Sequence, residues 1–99
     1  MIVITDYIKA MEKTNGGDIY IHFTDKCLPV AYGQSAVRLN SYFPEFPIIN
    51  TLCSDNGRHD VVTGFSLERV VERFMGHHQL VDDRCIHIMN VKTGAIRSE

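Results

Sequence analysis

Two stretches of the chain alternate between apolar and polar residues. In residues 18–24, Ile19, Ile21 and Phe23 interleave with Tyr20, His22 and Thr24; in residues 84–91, Ile86 and Ile88 interleave with Cys85, His87 and Met89. A period of two marks a strand with one buried face. Residues 48–53 and 60–65 read as two further strands, and Asn56-Gly57 between them supplies the turn signal of a hairpin. Helical spacing is clearest in residues 66–75. There Leu67, Val70, Val71, Phe74 and Met75 form one stripe behind a Ser66 cap, and Gly76 provides a stop. Glu68, Arg69, Glu72 and Arg73 lie opposite, with Arg69 and Glu72 spaced to pair. Thr5 caps a first helix with Ile4, Ile8 and Met11 near one face, halted by Asn15-Gly16-Gly17. Ser35 begins a second helix with Ala36, Leu39, Asn40 and Phe43 on one face, and Pro44 ends it. Residues 25–34 read as a loop, with a short extended piece at Val30-Ala31-Tyr32.

From residue 18 the elements run strand, helix, strand, strand, helix, strand. This implies the α+β class, an antiparallel sheet with helices on one face. The order matches the split, ferredoxin-like βαββαβ sequence preceded by an extra N-terminal helix. In that arrangement the first and fourth strands are neighbours. A length of 99 residues suits one small globular domain, 1–99, with 92–99 as a frayed tail or short return strand. No internal repeat, low-complexity tract or linker interrupts it.

Charge narrows the partners. Ten basic and twelve acidic residues give a net charge of −2, and the basic residues are scattered. A protein that grips phosphates concentrates positive charge, so nucleic acid is not an expected partner. Cys27, Cys53 and Cys85 are odd in number and widely spaced, which fits reduced thiols in a cytoplasmic protein better than a disulfide framework. The N-terminal Met-Ile-Val-Ile run lacks the basic flank of a signal peptide, and no apolar stretch reaches the ~20 residues that cross a bilayer. No membrane association is expected.

Combining the two alternations places Tyr20, His22, Cys85, His87 and Met89 on one open sheet face. A metal site or a thiol-dependent enzyme built on His22, Cys85 and His87 is one reading of that cluster. Candidate ligands are dense in residues 77–87, but there is no Cys-x-x-Cys and no zinc-finger spacing, and His77-His78 are adjacent. No metal and no cofactor are therefore expected. A catalytic thiolate needs an adjacent base and an orienting group, and nothing in the spacing imposes either. Each cysteine reads more simply as a small hydrophobe. Gly16-Gly17 precedes a strand, whereas phosphate-binding glycines follow one and open a helix. An RNA-binding sheet module would show interleaved aromatics such as Gly-Phe-Gly-Phe on a central strand, and residues 60–65 lack them.

The remaining expectation is a small non-enzymatic accessory protein that binds and modulates a larger protein or complex, with inhibition as the anticipated form. The partner is another protein or a second copy of the chain, since open faces and edges of sheets invite pairing. The candidate contact residues are Tyr20, His22, Tyr32, Tyr42, Phe46, His87 and Met89, aromatics and Met being enriched at interface cores.

Overall fold

A computed structural model describes residues 2–24 and 28–91. The elements follow in the order α1 (Asp6–Lys13), β1 (Ile19–Phe23), β2 (Pro29–Tyr32), α2 (Gly33–Tyr42), β3 (Ile49–Leu52), β4 (Arg58–Thr63), α3 (Leu67–Arg73), β5 (Gln79–Val81) and β6 (Cys85–Ile88). The strands form one antiparallel sheet in the order β3-β4-β2-β1-β6-β5.

This is an α+β fold, and the first and last of the expected strands do pair, with Tyr20 opposite His87 and His22 opposite Cys85. Two strands beyond the four expected separate it from the simple βαββαβ order. The extended piece at Val30-Ala31-Tyr32 is a full central strand, β2, lying between β1 and β4. The histidine-rich stretch after α3 contributes β5, an edge strand paired with β6. The hairpin around Asn56-Gly57 is tighter than the six-residue loop expected, because Cys53 N–H bonds the Gly57 carbonyl at 2.9 Å and β4 begins at Arg58. Asn56 takes φ 65°, the left-handed conformation that Asn tolerates best after Gly.

Strand alternation divides the apolar residues between two faces. Ile19, Ile21, Ala31, Val62, Ile86 and Ile88 join Ala36, Leu39, Phe43, Phe46, Val70 and Phe74 in the main core beneath α2 and α3. Val30, Tyr32 and Val61 point the other way, into a smaller cluster with Ile4, Ile8 and Cys53. The N-terminal segment and α1, the extra helix of the expected order, therefore pack on the opposite face, while α2 and α3 share the main-core side. Specific bonds hold this strap in place. Ser54 N–H donates to the Ile2 carbonyl at 2.9 Å, Ile4 N–H donates to Ser54 Oγ at 2.9 Å, and the Tyr32 hydroxyl donates to the Val3 carbonyl at 2.5 Å.

The caps explain where the helices start. Thr5 Oγ1 accepts from Ile8 N–H at 3.1 Å, and Ser66 Oγ accepts from Arg69 N–H at 3.4 Å. Ser35 does not begin α2. That helix starts at Gly33, whose φ of +53° lets the chain turn straight out of β2, and its exposed amides are met by a carboxylate from another helix. Glu12 Oε1 accepts from Ser35 N–H at 2.9 Å, and its Oε2 accepts from Ser35 Oγ at 2.5 Å. A negative group there also faces the positive end of the helix dipole. On α3, Arg69 pairs with Glu45 rather than Glu72 and lies over the rings of Phe43 and Phe46, with its guanidinium carbon 5.4 and 5.3 Å from their centroids. The expected turn and tail at residues 92–99, and Cys27, lie outside the described residues.

Candidate functional site

The strap packs on β2 and β4 of the second sheet face, through Val30, Tyr32 and Val61, and leaves the β1-β6-β5 half open. Cross-strand register builds this open half in two rows: Tyr20, His87 and Leu80 in one, His22 and Cys85 in the next. Four rings run across the face. His87 stacks on Tyr20 with centroids 4.3 Å apart; Tyr20 lies 6.4 Å from His22, and His22 5.7 Å from Tyr32.

Fixed partners orient the outer ring. His87 Nε2 bonds Asp18 Oδ2 at 2.8 Å, and Asp18 Oδ1 accepts from Asn90 N–H at 3.0 Å. Burial pushes the Asp18 carboxyl up, but those bonds and the nearby His87 and Arg38 charges outweigh it and hold the group below the usual carboxylate range. Behind Asp18 lies a polar network rooted in the turn that follows α1. Asn15 Oδ1 accepts from the Gly17 and Asp18 amides and from Arg38 Nη1, and Asn15 Nδ2 donates to Ser35 Oγ at 3.1 Å. The glycines after Asn15 thus serve an Asx-type turn, not a phosphate cradle.

His22 is differently placed. It is only 8 % exposed, and its Nε2 is buried with no hydrogen-bond partner among the described residues. A neutral polar atom left this way costs about 1–3 kcal/mol. Burial lowers the His22 pKa, with the Asp82 carboxylate opposing weakly, so the ring is neutral at physiological pH. The Cys85 thiol is pushed up to about 11 by burial and by Asp82. It is a protonated, weakly nucleophilic group at neutral pH.

The expected candidates therefore separate. Tyr20, His87 and Met89 are half-buried, and Tyr20 and His87 share the open face with Cys85. Tyr32, 2 % exposed, is sealed beneath the strap, its hydroxyl spent on Val3 and held up near 12 by burial. Phe46 is in the main core under Arg69, and Tyr42 is half-buried with Arg73 4.9 Å above its ring. Burial removes His22, Tyr32 and Phe46 from any flat contact surface. His22 and His87 share a face, but Tyr20 stands between them, so His22, Cys85 and His87 do not converge. Among the described residues no three His, Cys, Asp or Glu side chains gather to hold a metal ion, and no helix is long and apolar enough to cross a membrane.

Two features of this side of the molecule were not singled out from the sequence. One is β5, whose Leu80 and Val81 are 52 % and 68 % exposed. Their adjacent apolar side chains, the second β-branched, were the available signal. The other is a groove of about 790 Å³ between the strap and the sheet, lined by Val3, Tyr7, His22, Tyr32, Asp82 and Cys85 among others. Tyr7 lies just off the apolar stripe of α1 and is 71 % exposed.

No family model, curated protein or solved structure matches this chain.

Proposed function

We propose that this chain is a small, non-enzymatic accessory protein that binds a larger protein through the open half of its second sheet face and inhibits it by occlusion. The observation that carries the reading is the β5 edge. Leu80 and Val81 lie exposed on a terminal strand that holds no Lys, Arg or Pro. Such charges and prolines are the usual guards of a free edge. Leu80 is contiguous with His87 and Tyr20, so the edge and the ring row make one continuous apolar-aromatic surface. The opposite edge, β3, also exposes Ile49 and Leu52, but Pro47 precedes it and Arg58 donates to the Asn50 carbonyl and to Asn50 Oδ1, each at 3.0 Å. A protonated Cys85 and dispersed histidines favour binding over chemistry at this face.

The test compares capture from source extract by the wild-type chain and by Leu80→Asp and Tyr20→Ser variants of unchanged fold. A stoichiometric protein partner retained by the wild type, lost by both variants and less active once bound is the expected result. Equal capture by all three would refute the assigned face. No stoichiometric partner, or a partner whose activity is unaffected, would refute inhibitory binding.

A further inference from the structure

The groove beside the open face has a chemistry of its own, and it goes beyond the docking surface just described. We propose that it is a binding site for a small aromatic ammonium compound, with the ring held between Tyr7 and Val3, a ring N–H or O–H on the His22 imidazole, and the cation at Asp82 and Asp83.

Four observations converge on that class. The volume, about 790 Å³, falls within the ~300–1,000 Å³ typical of small-molecule sites and suits a one- or two-ring compound. The walls contributed by Val3, Tyr7, Ile8, Phe23 and Tyr32 are aliphatic and aromatic. Such walls favour a flat apolar ring, and the exposed face of Tyr7 attracts a cation. In the floor, His22 is more than nine-tenths buried and has a ring nitrogen without a partner among the described residues. The thiol of Cys85 beside it cannot satisfy that nitrogen strongly, being a weak donor and acceptor.

The lip settles the charge. Asp82 Oδ1 accepts from the Arg84 and Cys85 amides at 2.7 and 2.8 Å, which fixes the carboxylate at the groove and leaves Oδ2 without a bond among the described residues. Those two amides hold Asp82 below the usual carboxylate range. Asp83 adds a second negative charge and Arg84 a positive one, so among the described residues the lining carries an acidic excess. An ammonium group is attracted there and a carboxylate is repelled.

Tryptamine carries the required ring, ring N–H and ammonium; indole-3-propionate has the same ring and ring N–H with the opposite charge. In an amide-resolved NMR titration, tryptamine should move the Tyr7, His22 and Cys85 signals saturably, with a Kd on the order of 1 mM for so small a ligand. Indole-3-propionate should bind at least about tenfold more weakly because of its charge. His22→Phe keeps a ring in the floor but removes the nitrogen, and should weaken tryptamine about fivefold. Asp82→Asn keeps the Oδ1 acceptor that holds the loop, and Asp83→Asn alters only an exposed side chain. Together these two changes should erase the preference for tryptamine over the propionate, even if His22→Phe fails to fold. Absence of saturable shifts at these residues, equal binding of the two probes to the wild type, or an unaltered preference in the double Asn variant would each overturn the proposal. Because Leu80→Asp lies outside the groove, it should leave tryptamine binding intact, so failure of this site and failure of the docking face are separately visible.

Discussion

Two buried polar residues carry consequences well beyond their size. Ser35 is fully buried and bonds Tyr20 N–H, Asn15 Nδ2 and both oxygens of Glu12. Ser35→Ala deletes the hydroxyl and strands a strand amide and a carboxylate oxygen, so it should destabilise the fold by about 2 kcal/mol, read as a lower urea midpoint. Ser35→Thr, which keeps the hydroxyl, should recover part of the loss; equal loss in both would mean that packing, not bonding, sets the cost. His22 makes the converse case. Its pKa is lowered in the folded state by burial, with Asp82 opposing, so the unfolded chain takes up a proton at this site before the folded one does. The His22 contribution is fully present above the unfolded pKa near 6.5 and is lost as pH falls below it toward the folded value. Urea midpoints measured from pH 7.5 down to pH 5.5 should decline, and His22→Phe should flatten that decline. A decline of unchanged steepness in the variant would assign it to other groups.

At the level of elements, conformational demands are concentrated where β2 turns into α2. Gly33 sits at φ +53°, and a Cβ added there would lie 3.5 Å from the Glu12 side chain. Contact at that distance is tolerable, so the left-handed backbone sets the cost. Gly33→Ala should lose about 1–2 kcal/mol of stability, read by thermal or urea unfolding. Gly16→Ala meets no neighbour and has no positive φ, so it serves as the control that should change little. This junction also shows what a linear pattern can convey. The Thr5 and Ser66 caps, the β1 and β6 alternations and the Asn56-Gly57 turn are written locally, in side chains whose partners lie within a few residues. Tyr20, His22, Cys85 and His87 could be assigned to one face for the same reason. The start of α2 could not be read that way, because its amides are met by Glu12 from a helix twenty residues earlier in the chain. Likewise β5 is three residues long and exposes both its apolar side chains, so only pairing with β6 makes it a strand. The side of the sheet chosen by α1 depends on Ser54 and Tyr32, far along the chain, and that choice decides both which half of the face stays open and where the groove lies.

For the molecule as a whole, the two faces of the sheet are unequally defended. The main core is larger and is closed by two helices, whereas the second cluster is six buried residues, two of them the strap's own Ile4 and Ile8. Local opening samples the regions with least buried apolar area first, so the strap should detach at a lower free energy than the sheet unfolds. The cysteines report on this directly. Cys53 is fully buried beneath Ile4 and Ile8, and burial raises its thiol pKa, whereas Cys85 is partly exposed on the open half. Alkylation at pH 8 followed by peptide mass spectrometry should modify Cys85 before Cys53, and Cys53 only through opening of the strap. Ile8→Ala removes apolar contact from the strap alone, at a cost of about 2–4 kcal/mol. It should speed Cys53 modification by at least about tenfold, because opening in the fast-exchange regime follows the local equilibrium. Cys85 modification should change far less, since its strand is held by pairing with β1 and β5 and not by the strap. Parallel acceleration at both thiols would instead mean that the two faces open together and that the strap is an integral part of one cooperative fold.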